Sequence, residues 1–151
     1  MKSPSRQEHF AEEKKSKGGI ARLRTAFGYS CSGFRAALKH EHACRQEVFT
    51  FIPLCILVLV LPVDWISKVL LILPMPLILC IEMVNSAIEA VVDDISLEYR
   101  ELAKRAKDLG SAAVFCSILI GLIVWVSVIT ANFLNGAFDA WITAVRGYFA
   151  S

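Results

Sequence analysis

Apolar residues are spaced in two different ways along the chain. From Ile20 to Leu38 they return every three or four positions, with arginines and lysines between them. This spacing predicts an amphipathic basic helix over about residues 20–40, suited to lying on an anionic membrane surface. A soluble helix packed against a core would give the same spacing, so both interpretations stay open at this point.

Beyond residue 47 the apolar positions become continuous. Three runs are long enough, or nearly so, to cross a bilayer as helices, at about residues 48–63, 69–92 and 109–134. The first two are joined by so few residues that they must form a helical hairpin. The predicted fold class is therefore an all-α membrane protein, with an N-terminal surface helix followed by three transmembrane helices.

The two ends of the chain differ from this membrane domain, which covers residues 20–134. Residues 1–19 are polar and charged, and this composition predicts a disordered N-terminal extension. Residues 135–151 carry apolar side chains on one helical face, which predicts an amphipathic C-terminal tail lying at the membrane interface.

The charged residues are strongly segregated. Although 56% of the chain is hydrophobic, 20% is charged. Residues 1–47 carry ten Lys/Arg and five Asp/Glu, while residues 93–108 carry four and five. Since cytoplasmic segments are enriched in Lys and Arg, both segments are predicted to lie in the cytoplasm and the C-terminus outside.

One apolar run carries polar residues that are costly at membrane depth. At about 100° per residue, Glu82, Ser86, Glu89 and Asp93 fall within about 60° of one another, and Asn85 lies about 60° from Glu82 to one side. Each ionisable group costs roughly 2.5–3.5 kcal/mol there on insertion scales. This polar stripe predicts a functional site, although carboxylates that bond neighbouring helices in an oligomer would need the same placement.

The spacing within the polar stripe limits its chemistry. Glu82 and Glu89 are separated by roughly 10 Å along the helix, too far to share one proton or one metal ion. That distance suits two groups at opposite ends of a transferring phosphoryl group. Taken alone, the four-residue spacing of Glu41 and Arg45 favours an ordinary salt bridge within a helix. The charges of residues 93–108, taken alone, favour a solvated loop. Neither a Walker A loop nor a protein-kinase signature is present.

The sequence resembles a known family in several segments. The matching segments are Gly28-Tyr29-Ser30, residues 33–37, Glu41, residues 45–47, residues 82–93, Glu98-Tyr99 and residues 105–114. They are similar to the bacterial integral-membrane diacylglycerol kinases, and the resemblance runs from about Ile20 to about Val128.

The resemblance implies a function and an assembly. Members of this family are homotrimers of the bacterial cytoplasmic (inner) membrane, with active sites between subunits at the cytoplasmic interface. They transfer the γ-phosphoryl group of ATP, with Mg²⁺, to diacylglycerol and form phosphatidic acid. The partners implied are therefore ATP, a membrane lipid substrate and other copies of the chain, with no nucleic acid.

The resemblance also implies roles for individual residues. Glu82 would be the catalytic general base, Glu41 and Glu89 the metal ligands, and Asn85 and Asp93 supporting residues. The ATP-binding residues would be Arg22, Tyr29, Glu41, Glu89, Glu98, Tyr99, Arg100, Lys107 and Asp108. The lipid-binding residues would be Arg22, Arg35, Gln46, Glu47, Glu82 and Ser111.

Two positions depart from the family pattern, and two other functions stay open. Asp94 stands where a basic residue is usual, and Cys44 where an aromatic one is usual. An undecaprenol kinase shares the 82–93 block, but residues 45–47 and 33–37 favour diacylglycerol. A catalytically inactive membrane scaffold of the same fold is the second alternative; the presence of Glu41, Glu82 and Glu89 together argues against it.

Overall fold

The computed structural model describes residues 19–95 and 98–150, and every regular element in these ranges is an α-helix. The helices are α1 (Gly19–His40), α2 (His42–Val60), α3 (Trp65–Ile72), α4 (Pro74–Ile95), α5 (Glu101–Leu134) and α6 (Asp139–Ala150). The disordered extension predicted for residues 1–19 falls outside the described residues, except for Gly19.

The chain forms two compact units, one ending at His40 and the other beginning at Glu41. Helix α1 lies in the first unit, and its apolar side chains Leu23, Phe27 and Phe34 are exposed. The second unit contains the other five helices.

Three stretches of the second unit are long and apolar enough to cross a membrane: His42–Val60, Trp65–Ile95 and Glu101–Leu134. This confirms the predicted all-α fold with three membrane-length helices. Several helices are longer than the apolar runs, because charged and polar residues at their ends are also helical. Helix α2 begins at His42 and α5 at Glu101. Helix α2 instead stops at Val60, before the predicted end at residue 63, and Pro62 follows within the connection.

The middle stretch is divided at Leu73 into α3 and α4. Pro74 is the first residue of α4, a position where the missing N–H of proline costs nothing. The indole of Trp125, on α5, donates to the carbonyl oxygen of Leu71 over 2.8 Å. A side chain from the neighbouring helix therefore satisfies a backbone acceptor next to the break.

Helices α4 and α5 pack along most of their length and run in opposite directions. The buried residues of α5 are all small: Gly110, Ser117 and Gly121. A Cβ on Gly121 would lie 3.3 Å from side-chain atoms of both Ile78 and Pro74. Small residues at this contact let the two backbones approach closely, which is how membrane helices gain packing energy.

The end of the bundle formed by the hairpin is held by polar contacts around an apolar cluster. Val58, Val63 and Leu71 form the buried cluster. Asp64 caps α3 by accepting from the backbone N–H of Ser67 over 3.1 Å, and Asn132 donates to the Ser67 hydroxyl over 2.9 Å. The connection between α2 and α3 is thereby tied to the end of α5.

Candidate active site

The most buried part of the polar stripe is formed by Glu82 and Asn85. Their exposed fractions are 8% and 7%, whereas Ser86 is only half-buried. The side-chain nitrogen of Asn85 donates to a carboxylate oxygen of Glu89 over 3.1 Å. Angular position alone placed Asn85 at the side of the polar stripe. In the structure, Asn85 lies in the buried contact between α4 and α5.

Gly110 on α5 explains how Asn85 fits between the helices. A Cβ at Gly110 would collide with the side-chain oxygen of Asn85 and would lie 3.2 Å from its Cγ. That oxygen is buried and has no hydrogen-bond partner among the described residues. Sequence reasoning assigned no role to Gly110, although the run of small residues at 110–113 marks a surface for close helix packing.

The start of α2 adds two more carboxylates to this region. Glu41 is the N-cap residue of α2, in extended conformation with φ −95° and ψ 121°. Glu82 interacts electrostatically with Glu41, Glu47 and Glu89. Cys44, which is fully buried, interacts electrostatically with Glu41, Glu47 and Glu82. The start of α2 therefore brings further negative charge within electrostatic range of Glu82.

The donor set fits a magnesium ion carried by a phosphate ligand. Mg²⁺ is usually bound through one or two protein carboxylates together with substrate phosphates and water. Glu41 and Glu89 offer such carboxylates. Within residues 19–95 and 98–150, no three His, Cys, Asp or Glu side chains form a complete metal cage, and the Mg²⁺ expected here does not require one.

Cationic groups lie where α4 ends and α5 begins. Lys107 forms an ion pair with Asp93, with 2.6 Å between Nζ and Oδ1, and both side chains remain partly exposed. Arg100 is the N-cap residue of α5. Lys104 and Asp108 form a second ion pair, on the surface of the same helix. The arrangement offers positive charge beside the carboxylates, as a nucleotide polyphosphate requires.

The remaining predicted site residues are exposed. Glu98 and Tyr99 lie in the connection before α5, and Ser111 lies on α5 itself. Arg22, Tyr29 and Arg35 lie along α1, in the unit that ends at His40.

A cleft of about 490 Å³ lies between α2, α4 and α5, and Glu47 is the carboxylate that lines it. Gln46 and Glu47 form its polar edge, and one oxygen of Glu47 is buried without a hydrogen-bond partner in the described part of the chain. The other walls are mainly apolar. They are formed by Thr50, Phe51, Leu54, Pro74, Met75, Ile78, Ile118, Gly121, Leu122 and Trp125.

Comparison with known proteins decides the class of this site. The profile described as prokaryotic diacylglycerol kinase matches residues 28–129. The chain belongs to the prokaryotic diacylglycerol kinase family. A diacylglycerol kinase of Escherichia coli K12 is 45% identical over 115 residues, covering 76% of this chain and 94% of the relative. A diacylglycerol kinase of Pseudomonas aeruginosa is 40% identical over 115 residues, with the same coverage of both chains.

More distant members retain the similarity. A diacylglycerol kinase of Helicobacter pylori 26695 is 36% identical over 117 residues, covering 78% of this chain and 91% of the relative. The family match contains the whole polar stripe and the Asp93–Lys107 pair, while α6 lies beyond it. The protein is a membrane-embedded lipid kinase, as the resemblance in the sequence predicted.

Proposed function

We propose that this protein transfers the γ-phosphoryl group of ATP to the free hydroxyl of diacylglycerol, giving phosphatidic acid and ADP. One observation carries the proposal: Glu82 is buried in a membrane-length helix, and Glu89 is held by Asn85 on the same face. The names of the relatives support diacylglycerol as the lipid.

Glu82 is the proposed general base. The lipid oxygen bonds to the γ-phosphorus while the bond from that phosphorus to the bridging oxygen of ATP breaks. The hydroxyl proton passes to the Glu82 carboxylate, and the leaving ADP keeps the electron pair. Glu82 lies in a membrane-length helix. A lipid hydroxyl can therefore reach the depth of Glu82 without leaving the bilayer.

Glu89 and Glu41 are the proposed magnesium ligands. When bound, Mg²⁺ neutralises charge on the phosphate oxygens and holds them in line for transfer. Lys107 is proposed to exchange part of its contact with Asp93 for a phosphate oxygen. The other residues proposed to surround the nucleotide are Arg22, Tyr29, Glu98, Tyr99, Arg100 and Asp108.

The apolar cleft is the proposed site of the lipid chains. Its polar edge, at Gln46 and Glu47, lies on the helix that begins beside Glu41. The buried oxygen of Glu47 lies at this polar edge, where the glycerol end of the lipid is proposed to sit. Arg22, Arg35 and Ser111 are proposed to border the lipid headgroup.

We also propose that the protein is a homotrimer in the bacterial cytoplasmic membrane, with its N-terminus and active site on the cytoplasmic side. The excess of Lys and Arg in residues 1–47 supports this orientation. Crosslinking in native membranes should give trimers as the largest specific product; a ladder that stops at dimers would contradict the trimer.

The kinase proposal is tested with protein reconstituted in lipid vesicles. Diacylglycerol and undecaprenol are offered in parallel with MgATP, and phosphate incorporated into lipid is measured. We expect diacylglycerol to be phosphorylated and Glu82→Gln to lower the rate by about 10²- to 10⁴-fold, the usual contribution of a general base. Glu41→Gln and Glu89→Gln should raise the Mg²⁺ concentration required.

Glu101→Gln is the matched control, because Glu101 is an exposed carboxylate in the first turn of α5 and has no proposed role. If only undecaprenol is phosphorylated, the lipid substrate is undecaprenol and not diacylglycerol. An absence of lipid phosphorylation in either arm would favour the inactive scaffold. Full activity of Glu82→Gln would remove Glu82 as the base.

A further inference from the structure

Helix α6 starts directly beyond the end of a membrane-spanning helix. Helix α5 ends at Leu134, and α6 begins at Asp139. Between them, Gly136 has φ +72°, the left-handed conformation that glycine adopts without strain. The N–H of Gly136 donates to Phe133 and that of Ala137 to Asn132, each over 3.1 Å. These two bonds form a Schellman motif, which ends α5 sharply and redirects the chain.

The residue after this turn is anchored to the bundle. Phe138 packs against the buried cluster of Val58, Val63 and Leu71. This cluster lies at the hairpin end of the bundle, whereas Asp93 and Lys107 lie at the other end. The first turn of α6 is therefore fixed at the membrane face opposite the active site.

Helix α6 has two chemically different faces. At about 100° per residue, its apolar side chains fall within an arc of about 120°. They are Trp141, Ile142, Val145, Tyr148 and Phe149. Trp141, Tyr148 and Phe149 have exposed fractions of 51%, 79% and 83%, so the second unit leaves this face largely uncovered. The opposite face carries Asp139, Thr143, Arg146 and Gly147.

The charge of α6 separates it from basic membrane-surface helices. Its twelve residues contain one acid, Asp139, and one base, Arg146, so they carry no net charge. Interfacial helices attracted by anionic lipid are usually rich in Lys and Arg. Attraction to headgroup charge is therefore absent, and burial of the aromatic and aliphatic face remains as the driving force.

We propose that α6 lies flat in the lipid–water interface on the membrane face opposite the active site, and that it binds neutral and anionic bilayers equally well. Three observations support a lipid partner: the continuity with a spanning helix, the anchored start at Phe138, and the Trp and Tyr rings, which prefer the headgroup level. The proposal concerns a segment outside the family match and does not depend on the kinase reaction.

The test compares spin labels on the two faces of α6. The exposed cysteines Cys31, Cys80 and Cys116 are first replaced by serine. Val145→Cys and Phe149→Cys then place labels on the apolar face, and Thr143→Cys and Gly147→Cys are the matched controls on the polar face. Each full-length variant is reconstituted in phosphatidylcholine vesicles, and label collisions with oxygen and with a water-soluble nickel chelate are measured.

We expect the oxygen-to-nickel collision ratio to be severalfold higher at positions 145 and 149 than at 143 and 147. The ratios should be unchanged when phosphatidylglycerol is added to the vesicles. Water-like ratios on both faces would overturn the proposal, and so would protection of 145 and 149 from both reagents, which would indicate a second copy of the chain. Lipid-like ratios that require phosphatidylglycerol would overturn the neutral binding mode. Since the readout is independent of phosphorylation, its failure would leave the kinase proposal untouched.

Discussion

The side-chain amide of Asn85 donates a hydrogen bond to Glu89 across 3.1 Å, one helical turn further along α4. Residues four apart lie on the same face of a helix, so this bond restricts the directions in which the Glu89 carboxylate can point. The other atom of the amide, the Asn85 oxygen, is held against Gly110 of α5. Packing between two helices therefore orients a proposed metal ligand.

Replacement of Asn85 by alanine should weaken metal use without removing the base. Loss of a hydrogen bond to a metal ligand typically costs about 10- to 100-fold in metal affinity or activity. We expect Asn85→Ala to shift the Mg²⁺ dependence and the KM for MgATP more than kcat. Titration of Mg²⁺ at fixed ATP measures this shift. Ser86→Ala, at the adjacent half-buried position, is the control; an equal shift in both variants would contradict a positioning role.

Gly110→Ala should destabilise the contact between α4 and α5. The new methyl group would meet Asn85, and overpacking of a tight core commonly costs about 1–3 kcal/mol. Thermal unfolding in detergent should show a lower Tm, and kinase activity should fall. Adding Asn85→Ala removes the atoms that collide, so the double variant should regain stability relative to Gly110→Ala.

Gly147→Ala is the matched control for Gly110→Ala, because a Cβ at Gly147 would have no atom of the described residues within 4 Å, apart from its own helix backbone. It should leave Tm and activity unchanged. A double variant whose loss of stability is the sum of the two single losses would contradict a direct collision between residues 85 and 110.

Trp125→Phe should lower stability by removing the hydrogen bond to the carbonyl of Leu71. A net loss of about 0.5–1.5 kcal/mol is typical of one hydrogen bond, and it is larger when the remaining acceptor stays buried. Unfolding by a denaturing detergent measures the change. Trp65→Phe is the control because Trp65 is exposed at the start of α3; equal losses would mean that ring size, rather than the hydrogen bond, matters.

Asp64, in the connection between α2 and α3, should make the stability of the folded protein depend on pH. Hydrogen bonds from the hydroxyl and the backbone N–H of Ser67 lower the pKa of Asp64 in the folded protein. In the unfolded chain the pKa of an Asp carboxyl is about 3.9. The stabilisation is therefore present above that pH and is lost as the pH falls through the lowered pKa of the folded state.

Asp64→Asn removes this titration and keeps a residue that can cap a helix. The Tm of the variant should be lower than that of the parent at pH 7, and the difference should narrow below about pH 4, where the unfolded carboxyl becomes protonated. A Tm difference that is constant across this range would show that Asp64 acts without its charge.

Hydrophobic pattern was sufficient to predict the three membrane-length stretches and their order, but not the division of the middle one into α3 and α4. The apolar runs could not predict the helix ends, because an α-helix continues into water wherever its residues allow it. Helix α5 thus begins at Glu101, eight residues before the apolar run expected from Leu109. The positions at which each helix enters the membrane stay predictions.

The polar stripe was visible in the sequence because charges in an apolar helix are costly. The sequence did not reveal that Asn85 would be as buried as Glu82, since burial depends on which neighbouring residue is small. That residue is Gly110, which lies 25 positions further along the chain. A contact over this separation has no signature in local spacing.

The hairpin formed by α2 and the α3–α4 pair has a consequence for biosynthesis. If the short connection between α2 and α3 crosses the bilayer first, the end of α2 at Val60 and the apolar residues of α3 follow directly on either side of it. Glu82 and Asn85 lie 18 and 21 residues beyond Asp64, in the middle of α4. On the predicted orientation, in which the C-terminal end of α4 stays on the side of synthesis, the carboxylate of Glu82 enters the bilayer only part of the way and does not cross its full thickness.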